Sequence, residues 1–557
     1  MSRENIKCPK CNTENPIYDE ETDTFVCRNK NCRHKFSSEA IGYNEKPLGI
    51  ERKDKDDWIH EGDTFYDLEK YEKAIECYDK ALNIDSEDKM AWARKGDALK
   101  IGFNKIEESI ECYSKALQID PEDKLIWYIK GNTLNLLDKA EEAIECYDRA
   151  LEIDPDYTEA WHNRGVSLYI VERVEEALES YDKALETDPT YTNSWYNKGH
   201  ILNNLEQFEE AIACYDKILA IDEKDVEVWV NKGEALRIGM NKAEEAIECF
   251  NIALEIDSEY VEAWQSKGLA FYNLNKFEEA IESYDKALAI EPKYDSVWIN
   301  KGNALDELNR YEEAIECYDK ALEIDPEYKI AWYNKGYVLT NMSRDEEAIN
   351  CYDRVLEIDP DYKEAWSRKG NLLYNSKRYG EALECYRKAL EIDPEGSLVW
   401  FNKGDTLFSL NRYEEAIECY NKALEISPDN ELAWYNIGDA LYCLNRYEEA
   451  IECFDKALKI DPEYKEAWSL KGLTLQYSHK YEEAEICYDK ALEIDENYEV
   501  AWYNKACNEA LQNNKDKSIE YLKQAIKLNK ENLDLAKTDE DFKNIKNSKE
   551  FKELIGE

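Results

Sequence analysis

The stretch 298–331, WINKGNALDELNRYEEAIECYDKALEIDPEYKIA, decides the fold, because it recurs along the chain with few changes. Trp332 follows it and opens the next copy. A strict period in this range predicts stacked helical units, none of which can bury its apolar face alone. All fourteen tryptophans share the register, at intervals of 34 residues except for two of 35: Trp58, Trp92, Trp127, Trp161, Trp195, Trp229, Trp264, Trp298, Trp332, Trp366, Trp400, Trp434, Trp468 and Trp502.

A glycine stands four residues after the tryptophan, as at Gly302, in every unit but the last, which has Ala506. Glycine inside a helix costs about 1 kcal/mol relative to alanine, so a repeated glycine needs a packing reason. Alanines recur later in the unit, as at Ala314 and Ala321, on one helical face with the aromatic residue Tyr318. The pattern predicts two helices per unit, with a neighbouring helix backbone close to the glycine.

Proline marks the end of the second helix in most units. Nine of the twelve prolines lie between Pro121 and Pro462 in this position. Proline cannot continue a helix, so each unit is expected to turn at a fixed place. The two 35-residue units carry their extra residue in the similar strings 101–105 and 238–242. This placement predicts a longer surface turn between the two helices of those units.

The order of tryptophan, glycine, alanine, aromatic residue, alanine and proline resembles the tetratricopeptide repeat, in fourteen units over residues 55–532. The resemblance implies an all-α solenoid: antiparallel helix pairs stacked into a right-handed superhelix, with the first helix of each pair lining the concave face. It also implies a role in binding protein segments. One departure is a lysine before most of the glycines, as at Lys301, where the family commonly has leucine. A lysine stem can pack there while its ammonium stays in water.

The N-terminus carries a different pattern, C-x2-C followed after fifteen residues by C-x4-C. Two thiolate pairs at this spacing indicate a closed tetrahedral zinc site of the structural type, because no coordination position stays open for catalysis. The predicted ligands of one zinc ion are Cys8, Cys11, Cys27 and Cys32. His34 is an alternative to Cys32 as the fourth ligand.

The residues between the cysteine pairs predict a small β-type hairpin with strands 16–18 and 24–26, and the segment therefore looks like a zinc ribbon. Arg28, Lys30 and Arg33 make the second cysteine pair basic. These residues are interpreted as a solvated knuckle or one docked against acidic repeats. Contact with nucleic acid or an acidic partner is the alternative.

The net charge of −51 comes largely from carboxylates of the second helices, as at Glu312 and Glu316. Such a surface keeps a long array in solution and also favours basic partners. It repels phosphate backbones, so nucleic acid is not expected on the repeats, although it remains open for the zinc ribbon.

Eleven of the seventeen cysteines occupy one repeat position, where copies lie about a repeat apart and too far for a disulfide. They are interpreted as small buried residues kept reduced in the cytoplasm. No apolar run approaches the ~20 residues needed to span a bilayer, and no secretory signal follows Met1, so a cytoplasmic protein without membrane contact is expected.

The expected domains are a zinc ribbon (1–38), a linker or N-terminal cap (39–54), the repeats (55–532) and a C-terminal capping helix (533–557).

The resemblance places a ligand on the first helices, at positions flanking the tryptophan. Aromatic and amide residues dominate there, which is the chemistry enriched at protein interfaces. The family's clamp for a C-terminal carboxylate needs lysine just after the tryptophan, and no unit has one. Asparagines two residues after the tryptophan match the family and are candidates to bond a ligand backbone. The predicted ligand-binding residues are Tyr128, Asn132, Tyr169, Tyr196, Asn197, Tyr272, Asn303, Tyr333, Tyr337, Tyr374, Phe401, Phe408, Tyr435 and Tyr442.

The sequence therefore predicts a non-enzymatic scaffold that binds protein or peptide segments, basic ones among them, in the concave groove. The five histidines do not cluster, and thirteen of the twenty glycines hold one repeat position with no glycine-rich phosphate-binding loop among the rest, so no catalytic residues are assigned. The alternative is an adaptor whose zinc ribbon contacts nucleic acid or the transcription or translation machinery while the repeats recruit a protein.

Overall fold

A computed structural model describes residues 9–10, 17–19, 24–27, 35–37 and 53–556 of the chain. Thirty α-helices fill most of this described part. None of them combines the length and the apolar character that crossing a bilayer requires. The helices are α1 Lys55–Asp67, α2 Tyr71–Ile84, α3 Lys89–Phe103, α4 Ile106–Ile119, α5 Lys124–Asn135, α6 Ala140–Ile153, α7 Thr158–Ile170, α8 Val174–Thr187, α9 Thr192–Asn204, α10 Phe208–Leu219, α11 Val226–Gly239, α12 Ala243–Ile256, α13 Val261–Asn273, α14 Phe277–Ile290, α15 Asp295–Glu307, α16 Tyr311–Ile324, α17 Lys329–Asn341, α18 Asp345–Ile358, α19 Lys363–Asn375, α20 Tyr379–Ile392, α21 Ser397–Ser409, α22 Tyr413–Ile426, α23 Glu431–Cys443, α24 Tyr447–Ile460, α25 Lys465–Tyr477, α26 Tyr481–Ile494, α27 Glu499–Leu511, α28 Lys515–Leu528, α29 Glu531–Thr538 and α30 Lys549–Ile555.

Helices α1–α28 alternate along the chain as the first and second helices of the fourteen predicted units, which confirms the prediction of an all-α repeat array. The chain divides into two compact parts, residues 1–276 and residues 277–557. Inside each part, every repeat helix packs against the next one in the chain. Each first helix begins three residues before its tryptophan, and in nine units the second helix ends just before the proline turn.

Three short strands precede the helices: β1 Ile17–Asp19, β2 Thr24–Val26 and β3 Lys35–Ser37. They pair antiparallel in the order β1-β2-β3, with Ile17 opposite Val26. The predicted hairpin strands differ from β1 and β2 by one residue at most, whereas β3 was not predicted. Cys8, Cys11 and Cys32 lie outside the described residues.

The repeated glycine makes room for an aromatic ring rather than for a helix backbone. A β-carbon at Gly302 would lie 2.6 Å from Cε1 of Tyr318, a residue of the second helix α16. The same ring position is nearest to the glycine in the other units for which the contact is described. The last unit carries Leu522 in place of the aromatic residue and tolerates Ala506 as a buried residue in place of glycine. The expectation of a close helix backbone was therefore wrong, and the reason for the glycine is a ring.

The second helix of each unit supplies the deeply buried face. In α16, Ala314, Cys317, Tyr318 and Ala321 are all buried. Burial raises the pKa of the Cys317 thiol to about 12, because the thiolate would lose its hydration. The repeated cysteines are therefore small core residues, as the sequence indicated.

The tryptophan and the lysine before the glycine tie neighbouring structure together. Nε1 of Trp332 donates to the carbonyl oxygen of Pro326 at 3.0 Å, so the first helix is fixed to the preceding turn. Nζ of Lys335 lies 5.6 Å from the Trp332 ring centre and 2.5 Å from Oδ1 of Asp319 on the second helix of the preceding unit. The lysine that departs from the family pattern thus binds an aspartate instead of only reaching water.

The longer units do not have longer turns. In the first of them only Asn104 and Lys105 separate α3 from α4, whereas three residues separate α1 from α2. The extra residue extends the first helix, and Asn104 closes it in a left-handed conformation with φ 53°. Extending a helix adds a backbone hydrogen bond that a longer loop would have to replace with water. The prediction of a lengthened surface turn was wrong for this reason.

The C-terminus folds back on the last unit through α29, a short 3-10 helix Glu540–Asn544, and α30. Phe542 and Phe551 are fully buried there, packed with Ala506 and Leu522. This segment covers the apolar face that the last helix pair would otherwise expose, which is what a terminal unit of a repeat array needs.

Candidate functional site

The fourteen predicted ligand-binding residues all lie on first helices, and in each of the two compact parts we call the surface that these helices form the first-helix surface. All are half-buried except Tyr169, which is exposed. These side chains are therefore packed against the protein and still partly accessible to a partner.

Rings that directly follow a tryptophan are held from two sides. The Tyr333 ring centre lies 5.8 Å from Tyr352 on the second helix and 5.3 Å from Tyr362 at the start of the next unit. Tyr128 and Tyr435 have the same two neighbours in their own units, and Phe401 packs against its second-helix tyrosine. Packing of this kind leaves the rings little conformational entropy to lose on binding.

The hydroxyls of these tyrosines bond to the following unit. Tyr128 accepts from Nδ2 of Asn163 at 3.0 Å. Tyr196 donates to Oε1 of Glu227 at 2.5 Å, and burial together with this carboxylate raises its pKa to about 12. The hydroxyls are thus partly used in joining units.

Further along the first helices, a second set of rings packs on the opening residue of the second helix. Tyr374, Phe408 and Tyr442 lie 5.6, 5.2 and 5.9 Å from the tyrosines that begin α20, α22 and α24. Tyr169 accepts from Asn204 in the next unit at 3.3 Å, and Tyr272 is half-buried. Two aromatic rows therefore follow the first helices.

Tyr337 has a cation over its ring. The guanidinium of Arg368 lies 4.5 Å from the ring centre of Tyr337, and Nε of Arg368 donates to the Tyr333 hydroxyl at 2.7 Å. One part of the first-helix surface thus already holds a cation–π pair built from its own residues.

Amide residues of this surface form a polar ladder between units. Oδ1 of Asn132 accepts from the Tyr147 hydroxyl at 2.7 Å and from Nδ2 of Asn163 at 2.8 Å. Asn303 accepts from the corresponding tyrosine and asparagine, each at 2.9 Å. Asn371 and Asp405 repeat the arrangement.

The ladder already engages several of the asparagines two residues after the tryptophan, and their role in bonding a ligand backbone stays a prediction. They were expected to bond a ligand backbone, yet Asn163, Asn334, Asn402 and Asn436 spend an Nδ2 hydrogen on the preceding unit. Asn197 is directed to the Tyr181 hydroxyl at 3.5 Å. Nothing in the repeat pattern indicates these contacts between units, because the acceptor lies a whole unit away.

Asp439 is a carboxylate at the ladder position that lacks both donors, and the sequence analysis missed it. Glu234 lacks the same donors but pairs with Arg237. Asp439 stands five residues after Trp434, as Asp405 does after Trp400. Phe454 replaces the tyrosine, and Leu470 replaces the asparagine that would donate. Burial raises the pKa of Asp439 to about 6. The signal was present in the sequence as two simultaneous departures from the repeat pattern.

Of the predicted zinc ligands, Cys27 follows β2 and is buried, and the other three lie outside the described residues. Within the described part, the thiol of Cys507 and carboxylates of Asp539 and Asp541 also meet within 4.8 Å. Asp539 accepts from Tyr503 at 2.8 Å and Asp541 from Gln476 at 2.9 Å. These contacts fasten the C-terminal segment to the last two units.

Comparison with sequence profiles identifies the repeat. Profiles described as tetratricopeptide repeat match residues 158–191, 192–225, 261–294, 296–328, 330–362, 364–395, 432–464 and 466–498. Further profiles of that description match residues 385–418 and residues 91–123, 226–260 and 500–532. A profile described as TPR repeat matches residues 62–100, 131–170 and 404–445.

The chain is also similar, at low identity, to several solved structures. The peptide-binding TPR protein YrrB is 24% identical, with 34% of this chain and 98% of that chain covered and a TM-score of 0.30. MamA is also 24% identical, with 29% and 94% covered and a TM-score of 0.28. The APC/C hetero-tetramer Cut9–Hcn1 gives 14% identity, 81% and 95% coverage and a TM-score of 0.33. No protein with curated annotation matches the chain.

Proposed function

Because this chain belongs to the tetratricopeptide repeat family, we propose that its first-helix surface binds extended protein segments and that the array acts as a non-enzymatic scaffold. The observation that carries the proposal is the pair of aromatic rows, in which half-buried rings are already packed before any partner arrives. Rigid amphipathic rings are the side chains that most often dominate binding energy at protein interfaces.

Charge favours basic segments as partners. The net charge of −51 attracts cations over distances set by the salt concentration, and it speeds their encounter more than it strengthens the final complex. The same field disfavours nucleic acid on the repeats. Eleven buried thiols in register suit a reducing compartment, and we place the protein in the cytoplasm on that ground.

The test is site-directed photo-crosslinking in the full chain. p-Benzoylphenylalanine at position 374 samples the first-helix surface, whereas the same residue at position 316 samples the exposed face of a second helix. Partners captured from a lysate only at position 374 would support the proposal. Capture only at position 316 would place the working surface on the second helices and overturn it.

We also propose that Cys8, Cys11, Cys27 and Cys32 hold one structural zinc ion. Support comes from the C-x2-C and C-x4-C spacing and from the paired strands β1 and β2 between the two cysteine pairs. Thiolates at all four positions would leave zinc no open site for catalysis. Elemental analysis should find one zinc per chain, and replacing Cys8 and Cys11 by serine should remove it without lowering the melting temperature of the repeats. Replacing the exposed Cys443 by serine is the control, and zinc retained by the double variant would contradict the assignment.

The adaptor alternative concerns the same N-terminal segment. If the basic residues around Cys32 contact nucleic acid, a fragment of residues 1–50 should recover partners that nuclease treatment removes. A fragment of residues 51–557 should then recover a different set that nuclease leaves unchanged.

A further inference from the structure

Asp439 occupies a position whose oxygen is satisfied twice elsewhere. In four other units the residue five after the tryptophan accepts one hydrogen bond from the second-helix tyrosine and one from the next unit's asparagine. For Asp405, one unit earlier, these donors are Tyr420 at 2.7 Å and Asn436 at 2.9 Å. The two bonds meet on a single oxygen and close the ladder.

At Asp439 both donors are gone. Phe454 packs where the tyrosine would be but carries no hydroxyl, and Leu470 carries no amide. The polar contact described for the carboxylate is the thiol of Cys443, whose Sγ lies 4.0 Å from Oδ1 and is a weak donor. Among residues 53–556, no ion pair of Asp439 is formed. A half-buried carboxylate without compensating donors or cations is costly, so its presence at this position calls for a reason.

Aromatic residues stand one turn before and one turn after this carboxylate on the same helix. Tyr435, one turn before it, packs at 5.0 Å on Tyr464 and at 6.0 Å on Phe454. Tyr442, one turn after it, packs at 5.8 Å on Tyr477. Burial chiefly raises the pKa of Tyr435 and Tyr464, and the negative charge of Asp439 adds to the shift, so both hydroxyls lie within electrostatic range of it.

We propose that Asp439 and the flanking rings of Tyr435 and Tyr442 form a pocket for one cationic side chain, a lysine or an arginine, of the segment bound on the first-helix surface. The inference rests on the proposed function and names the chemistry of its partner. A cation would supply the charge partner that Asp439 lacks, and ring faces add cation–π attraction. The Arg368 guanidinium over Tyr337 is an internal precedent for a cation on this surface.

The probe is a library of random twelve-residue peptides selected on the full chain. We expect selected peptides to be enriched in lysine or arginine at one position. Replacing that residue by norleucine or citrulline, the neutral analogues of lysine and arginine, should weaken binding roughly tenfold. Comparison of the two replacements shows whether the pocket takes an ammonium or a guanidinium.

Two variants locate the effect. Asp439→Asn should abolish the enrichment and the difference between the cationic peptide and its neutral analogue. Asp405→Asn is the matched control, because it makes the same chemical change where both donors are retained, and it should keep both. The double variant Phe454→Tyr with Leu470→Asn preserves the carboxylate but restores its donors, and it should reduce selectivity for the cation.

The outcomes separate the two ideas. Selection of no binding peptide would overturn the proposed function and this inference with it. Peptides that bind without a preferred cation, or a loss of preference that is equal in the Asp439 and Asp405 variants, would overturn the inference and leave the proposed function standing. Circular dichroism on each variant excludes unfolding as the cause of a lost preference.

Discussion

At the residue scale, the repeat shows how one position constrains another a helix away. Gly302 lacks a β-carbon because the Tyr318 ring occupies that space, and the Tyr318 hydroxyl then reaches Asn303 at 2.9 Å. Asn334 of the next unit donates a second hydrogen bond to Asn303. A change at any of these positions is therefore felt at the others, and double-mutant cycles among them should show coupling.

Replacing Gly302 with alanine should lower the free energy of unfolding by about 1–3 kcal/mol, because the new β-carbon would overpack against the ring. Combining it with Tyr318→Leu should recover part of the loss, since Ala506 and Leu522 already coexist in the last unit. The control is Gly380→Ala, where no atom lies within 4 Å and helix propensity should give a small gain. Urea denaturation measures all three, and equal losses at both glycines would contradict the ring explanation.

Asp439 should make stability depend on pH. Burial raises its pKa to about 6 from an ordinary value of 3.8, so the folded chain binds more protons between these values. Protonated Asp439 therefore contributes to the free energy of unfolding at low pH, and this contribution is lost as the pH rises from about 4 through 6. Asp439→Asn should therefore raise the free energy of unfolding by about 1–2 kcal/mol at pH 7 and change it little near pH 4.

The control for this pH dependence is Asp405→Asn, whose gain should be smaller because Tyr420 and Asn436 stabilise the Asp405 carboxylate. The neighbouring Tyr435 and Cys443 have raised pKa values and stay neutral through this range. Denaturation curves at pH 4 and pH 7 decide the matter. A difference from wild type that does not change between the two would count against a buried carboxylate.

At the scale of the element, the two helices of a unit divide the work. The second helix buries alanine, cysteine and tyrosine, while the first helix carries the half-buried aromatic rows. The sequence predicted this division well, because the 34-residue register fixes which residues share a helical face. It did not predict that the longer units extend their first helix, because the choice between helix and loop depends on how the Asn104 cap closes.

The polar ladder between units was also not predicted from the sequence. Asn163 matches the family's ligand-contacting asparagine, yet its Nδ2 lies 2.8 Å from Asn132 of the preceding unit. Pairings of this kind depend on the spacing between stacked units, which a one-dimensional pattern does not contain. The zinc assignment at Cys8, Cys11 and Cys32 stays a prediction.

Tyr333, Tyr337 and Tyr374 should form a binding hot spot. Replacing all three by alanine should weaken a partner by more than ~2 kcal/mol in total, provided melting shows the array intact. Reversing the charge of Glu312 and Glu316 to lysine should slow association of basic partners and reduce its dependence on salt, because less attraction is left to screen, with dissociation nearly unchanged. Binding kinetics at two salt concentrations measure both. If only the charge reversals mattered, the binding surface would lie on the second helices.

At the scale of the whole molecule, each helix packs mainly on its neighbours in the chain, so stability should accumulate unit by unit. Gly302→Leu should wedge α15 from α16 and speed hydrogen exchange in α15–α18. Exchange in α27 and α28, held by the C-terminal segment, should stay slow. Mass spectrometry of peptic fragments provides the measurement. Faster exchange throughout residues 277–556 would indicate a single cooperative body instead.

Because the buried cysteines recur in register, thiol alkylation can measure how often each repeat unit opens. A thiol is present at the same depth in eleven units, and a raised pKa keeps each one unreactive while its helix stays closed. An alkylating reagent would therefore modify a cysteine only when its unit opens. The position of each modified peptide in the sequence would identify the unit that opened. The exposed Cys443 needs no opening to react, so its alkylation rate would serve as the internal reference.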